Sequence, residues 1–344
     1  MSGPLDGADG PASLDWPVGA ATGVGSLPGD DAREAARLVV GELPDLPHLP
    51  ELPGRGAGAD LTGRTAALLA GLNVDLQPAG WRFVDRAGLD QRRALDLLDR
   101  DLDALEEAAQ GWRGPLKLQA AGPLTLAATI ELPRGGRVLG DAGAVRDLAE
   151  SLADGLAAHV ADVARRVPGA QLVVQLDEPA LPAVLAGAVP TASGFGRYTA
   201  FDPGTARDRI GTVAWALSAT GAAVGAHCCA ARPPLGLLRD AGVTLLSIDV
   251  TLALDEDAVG EAVEAGVRLV AGIVPATDAE LSDLAATVRP VRSLWRRLGF
   301  APERLAEVVI VSPTCGLAGA SPDYARAALT RCVEAGRLLR EEPQ

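Results

Sequence analysis

His227 and Cys229 form an H-x-C pair at the end of a run of small apolar residues, Gly221 to Ala226. A second apolar run, Val308 to Ser312, leads into Thr314-Cys315-Gly316, and a third, Leu245 to Ile248, ends in Asp249. Thiolate sulfur, imidazole nitrogen and carboxylate oxygen are the donors that Zn²⁺ takes in tetrahedral geometry. If the three runs are neighbouring strands, His227, Cys229, Asp249 and Cys315 meet as one zinc site. The competing reading is packing. Cysteine often behaves as a small buried hydrophobe, and an H-x-C pair alone fits that role as well.

The elements that must position these residues alternate. Apolar runs read as strands at Val18–Val24, Leu46–Leu49, Leu116–Ala120, Gln171–Leu176, Ala222–Ala226, Thr244–Ile248, Arg268–Ile273 and Val308–Val311. Residues 74–84 suggest a hairpin with Trp81 and Phe83 on one face. Patterns of 3.6-residue period read as helices at Ala32–Glu42, Ala66–Leu72, Leu89–Gln110, Ala144–Arg166, Thr205–Thr220, Leu235–Asp240, Glu256–Ala265, Asp278–Leu298 and Pro322–Arg340. Strands alternating with helices imply a parallel sheet, and eight such units imply a (β/α)₈ TIM barrel. On that fold the polar residues fall at strand C-terminal ends: Ser26, Glu51, Thr125, Asp177, His227, Cys229, Asp249 and Cys315. Barrel enzymes build their sites on that face. The bland alternative for Ser, Thr and Asp is helix capping.

Composition bounds the class. The chain has 344 residues, 48% hydrophobic, 22% charged and only 3% aromatic, so a folded core of Ala, Val and Leu is expected. A formal net charge of -14 argues against nucleic acid or an anionic membrane as partner. Residues 1–17, rich in Gly, Pro, Ser and Asp, read as a flexible leader, and residues 18–344 as a single barrel. No signal-peptide pattern and no membrane span is seen, and four cysteines do not make a disulfide framework. The expected location is the cytoplasm, where thiols stay reduced. Cys228 reads as packed and Cys332 as a helix residue.

As a set, Gly25-Ser26-Leu27-Pro28, Gly122-Pro123-Leu124-Thr125 (read as a loop after the third strand), Gln175 to Leu181 (containing D-E-P-A-L), His227-Cys228-Cys229, Ser247-Ile248-Asp249 and Cys315-Gly316-Leu317 resemble, in order, the C-terminal catalytic barrel of cobalamin-independent methionine synthase. The resemblance spans roughly residues 20 to 340. It implies the methionine synthase/uroporphyrinogen decarboxylase-like barrel, and transfer of a methyl group to homocysteine to form methionine. His227, Cys229 and Cys315 match the zinc ligands, with Asp249 where the family usually has Glu. Ser26 matches the loop that holds the homocysteine carboxylate. Asp177 matches an acid of the catalytic site that holds the amino group, and Glu51 resembles a second such acid. This chemistry is sensible, because the thiolate is the reactive form of a thiol and zinc coordination deprotonates it.

Departures concern the methyl donor. The family's pterin-stacking Trp corresponds to Thr129, and the segment after the seventh strand, Gly272 to Thr277, holds no histidine. The chain is thus closer to single-barrel members, with methylfolate or a methylcorrinoid protein as donor. The alternatives are a non-catalytic zinc- or thiol-binding barrel, a methyltransferase for another thiol, and a metal-free uroporphyrinogen-decarboxylase-like barrel.

Overall fold

The computed structural model describes residues 16–191 and 194–343. The expected leader lies outside the described residues except for Trp16 and Pro17. The Arg268 guanidinium lies over the Trp16 ring, 5.5 Å from its centroid.

The first two expected strands are reduced to isolated bridges. Ala21 bridges Val311, Ser26 bridges Glu51, and His48 bridges Lys117, all in parallel. Two backbone hydrogen bonds hold each one: at the first, Val311 N–H donates to Ala20 O and Thr22 N–H to Val311 O, and at the third, Leu49 N–H donates to Lys117 O and Lys117 N–H to Pro47 O, all at 2.9 Å. Pro17, Pro44, Pro47 and Pro50 remove ladder donors around these segments, which explains why no longer pairing forms.

The helix α1 (Ala32–Glu42) starts at Asp31, whose carboxylate accepts from the Arg33 and Glu34 amides. The helix α2 (Leu61–Ala66) precedes the segment expected to be helical, because Asp60 caps it by accepting from Gly63 N–H. The expected hairpin is β1 (Asn73–Gln77) with β2 (Gly80–Val84), and Trp81 and Phe83 are buried on one face of it. After α3 (Leu89–Ala108) come β3 (Gly114–Ala121), α4 (Pro123–Thr129), α5 (Ala142–Arg166), β4 (Ala170–Asp177), α6 (Leu181–Leu185), α7 (Pro203–Ala219) and β5 (Ala223–Cys228). The chain continues through α8 (Leu235–Asp240), β6 (Leu245–Asp249), α9 (Glu256–Glu264), β7 (Arg268–Val274), α10 (Leu284–Leu298), α11 (Leu305–Val308), β8 (Val309–Pro313) and α12 (Pro322–Glu341). The Gly122–Thr125 segment was expected as a loop; it opens α4 instead, with Pro123 in the first turn.

Strands β3 to β8 form one parallel sheet in sequence order, with helices between them. It is a curled six-stranded half-barrel, where eight strands were expected. The period of two assigns its faces. Leu172, Val174 and Leu176 of β4 and Leu246 and Ile248 of β6 belong to the large helix-packed core. Val173, Leu245, Val270 and Ile310 point the other way and pack with Ala20 and Leu46 in a small second cluster. Along that inner face follow Gln175 and Asp177 of β4, His227 of β5 and Ser247 and Asp249 of β6. Cys228 falls on the helix side and is fully buried, and Cys332 packs in the core from α12. Among the described residues no helix is long and apolar enough to cross a membrane.

Candidate active site

Parallel register brings the strand ends together. Asp177 pairs with His227, and His227 with Ser247. His227 is almost fully buried, and its Nδ1 lies 2.9 Å from Ser247 Oγ. That contact fixes the ring and turns Nε2 toward Cys315, whose Sγ is 3.9 Å away. Cys315 lies just beyond β8, and its Sγ is 3.3 Å from Cys229 Sγ. One ligand atom from each of His227, Cys229 and Cys315 lies within 4.8 Å of the others. Cys315, in hydrogen-bond contact with the Cys229 thiol and beside His227, is held at about 4, far below the usual thiol range, while the same contact pushes Cys229 up. A thiolate, a second thiol and an oriented imidazole in this space fit a thiophilic metal such as zinc.

Asp249 is not part of this cluster. Register puts its backbone one step past the Cys228–Ile248 pair, beside Cys229. Its Oδ1 instead accepts from Thr251 N–H at 2.8 Å and Thr251 Oγ–H at 2.6 Å. An aspartate in a tight strand-to-loop turn satisfies itself locally in this way.

The cluster lines a cleft of about 310 Å³. Ser26, Glu51, Asp60 and Asp177 also line it. Ser26 is held by main-chain bonds on both sides: Leu317 N–H donates to Ser26 O at 2.8 Å, and Leu27 N–H to Glu51 O at 2.9 Å. A Cβ on Gly316 would collide with Ser26 Oγ, so Gly at that position lets the loop after Cys315 close on the Ser26 loop. Asp177 accepts from Gln175 Nε2 at 2.7 Å. Burial raises its carboxyl to about 6 against the pull of His227 and Lys117. Burial raises Glu51 to about 7, opposed mainly by Arg64 and helped by the negative charge of Asp177.

Thr125 does not face this cleft as a binding group. Its Oγ–H donates to Glu178 Oε2 at 2.7 Å, and the Leu124 and Thr125 amides donate to the same carboxylate at 2.9 and 2.8 Å. Glu178 thus caps α4 from inside. Thr129 sits at the end of that helix and donates to Thr125 O at 2.8 Å.

Several contributors were not foreseen from sequence. Ser247 and Gln175 each stand two residues before a strand-end acid, on the same face, and the period of two is a signal that points to them. Arg64, Asp101 and Lys117 carry no such signal. Lys117 is buried in β3, where its Nζ donates to Val24 O at 2.7 Å.

Residues 19–338 match the family described as cobalamin-independent synthase, catalytic domain. Among solved structures the chain is similar to a B12-independent methionine synthase from Shewanella sp. W3-18-1, determined in complex with selenomethionine. The identity is 12% over 95% of this chain and 99% of that one, with a TM-score of 0.64. A 2,3-dimethylmalate lyase of the PEP mutase/isocitrate lyase superfamily matches at a TM-score of 0.36 and 13% identity, over 94% of this chain and 84% of that one. No curated protein matches the sequence. Because the family match runs through every described strand and every residue of the cleft, the chain belongs to the cobalamin-independent synthase catalytic-domain family and is a methyltransferase.

Proposed function

We propose that the enzyme transfers a methyl group to the sulfur of homocysteine, forming methionine, with zinc as its cofactor. The observation that carries this reading is the sharing of one cleft by two kinds of group. Its walls carry an imidazole and two sulfurs, and also two buried acids, Glu51 and Asp177. An amino acid with a side-chain thiol presents to such a cleft a sulfur for the first and an ammonium group for the second. The Shewanella relative was solved with selenomethionine, the selenium analogue of this product.

His227, Cys229 and Cys315 would hold the zinc. Asp249, whose backbone stands beside Cys229, is the fourth ligand in this reading, and its carboxylate would have to leave Thr251. Bound zinc supplies a Lewis acid that keeps the acceptor thiol ionised at neutral pH. Glu51 and Asp177 receive the ammonium group, and Asp177 thereby fixes the substrate for reaction. Ser26 and the amides of its loop receive the carboxylate. The substrate sulfur then attacks the methyl carbon. A carbon–sulfur bond forms as the donor's bond to methyl breaks, its electron pair staying on the donor. The donor is a methylfolate or a methylcorrinoid protein, and the cytoplasm is the fitting compartment for reduced thiols.

We also read the segments around Ala21 and His48 as the two remaining staves of a (β/α)₈ barrel. Their bridges to β8 and β3, and the Ser26–Glu51 bridge between them, support closure of the ring.

Zinc K-edge absorption on purified protein tests the function. We expect two sulfur ligands without L-homocysteine and three with it, and loss of both metal and methyl transfer in Cys229→Ser and Cys315→Ser. Full methyl transfer by metal-free protein would overturn the reading.

A further inference from the structure

Behind Glu51 lies a chain of buried charges that the proposed chemistry does not use. Arg64 of α2 has only 4% of its side chain exposed. Its Nε stands 3.7 Å from Glu51 Oε1, and its Nη1 donates to Asp101 Oδ2 of α3 at 2.5 Å. The same Asp101 oxygen accepts from Arg55 Nη2 at 2.8 Å. Three atoms of this chain, Glu51 Oε1, Arg64 Nη2 and Asp101 Oδ1, are buried without a hydrogen-bond partner among the described residues.

We propose that Arg64, gripped by Asp101, is a positioning residue that gives the cleft its selectivity for an amino group, by holding the Glu51 carboxylate ionised and turned toward the cleft. This inference rests on the reading of the cleft as an amino-acid thiol site.

Glu51 faces one acid, Asp177, and two cations, Arg64 and Lys117, with Gln119 alongside. Lys117 is committed elsewhere, to Val24 O and to Gln119 Oε1 at 3.2 Å. Arg64 is therefore the cation that answers Glu51. The buried group is balanced, with Arg55, Arg64 and Lys117 against Glu51, Asp101 and Asp177. Removing Arg64 leaves one uncompensated negative charge in a dry site, and a proton on Glu51 is the cheapest relief. A neutral carboxyl offers an ammonium group far less than a carboxylate does.

The geometry suits this division of labour. The separation of 3.7 Å is ionic contact without a hydrogen bond, so Arg64 sets the charge while the lone pairs of Oε1 stay open for a ligand. Asp101 and Arg55 then fix Arg64 from the side away from the cleft. Asp60 ties the arrangement to the substrate side, since it lines the cleft and caps the helix that carries Arg64.

The test is calorimetric binding to the zinc-loaded enzyme of L-homocysteine and of 4-mercaptobutanoic acid, which has the same chain without the amine. Arg64→Gln is expected to weaken homocysteine about tenfold or more while leaving 4-mercaptobutanoic acid unchanged, with Arg64→Lys restoring most of the difference. Equal weakening of both ligands, or no change for homocysteine, would overturn the proposal. If Arg64→Gln does not fold, Asp101→Asn takes its place. It removes the anion that competes for Arg64 and leaves that charge to Glu51, so by the same balance it should keep or widen the ratio. A narrowed ratio there would also overturn the proposal. Glu51→Gln separates this proposal from the parent reading. If that variant still prefers homocysteine by the wild-type ratio, the amino-acid reading of Glu51 fails whatever Arg64 does.

Discussion

Glu178 and Glu51 are both buried glutamates at the C-terminal face of the sheet, and burial raises both carboxyls to about 7. Their surroundings differ. Glu178 receives three hydrogen bonds from the first turn of α4, and Gly122 lets it approach, because a Cβ there would run into its carboxylate. Glu51 has one oxygen with no hydrogen bond and an ion pair at 3.7 Å. The first acid is finished by the fold; the second keeps an acceptor unspent, which in our proposal takes the ammonium group. Burial and a raised pKa mark both alike, so neither feature by itself identifies a binding carboxylate. What distinguishes them is whether the lone pairs are spent.

Substitution should split the pair. Glu178→Met keeps the volume but strips every acceptor from the Leu124 and Thr125 amides and the Thr125 hydroxyl. We expect a loss of about 4 kcal/mol in urea unfolding, at about 1–3 kcal/mol for each buried donor left unpaired. A loss under about 1 kcal/mol would mean that the cap contributes nothing and that the contrast is false.

Glu51→Gln should act in the opposite sense and depend on pH. The folded-state value is raised from 4.5 to about 7, so Glu51 supports the metal-free fold below about pH 4.5 and costs stability as pH rises through 7. The full rise corresponds to about 3 kcal/mol. The Gln variant should therefore be more stable than wild type by about that amount near pH 8, with the gap closing by about pH 4.5. A constant gap across that window would show that Glu51 is not the titrating group.

The same contrast explains what could be read in advance. The six paired strands were legible because apolar runs covered on both faces leave a plain signature, and their polar ends pointed to His227, Cys229 and Cys315. The first two expected strands were not, since proline reduces them to bridges at Ala21 and His48. Gly122–Thr125 looked like a loop because the acid that nucleates its helix, Glu178, lies 53 positions away from Thr125. Asp249 was assigned by its place at a strand end, and the local turn in which its carboxylate accepts from Thr251 left no periodic mark in the sequence. The Arg64–Asp101 pair joins residues 37 apart on two helices, and no periodicity links an ion pair across such a distance.

Ser247 tests whether the distinction between finished and open groups extends to the donor cluster. Its hydroxyl is to His227 what the Thr125 hydroxyl is to Glu178: a contact that fixes orientation and leaves the working atom alone. His227 differs in turning Nε2 toward the thiols of the cleft, 3.9 Å from Cys315 Sγ. Ser247→Ala should leave the fold intact and weaken zinc about tenfold, about 1.4 kcal/mol, because the imidazole loses its fixed tautomer and orientation. Competition with a chromophoric chelator measures this directly. Unchanged zinc affinity would show that the strand register alone orients His227. Weakened zinc with an unchanged melting temperature of the metal-free protein would assign the hydroxyl to the metal centre and not to packing.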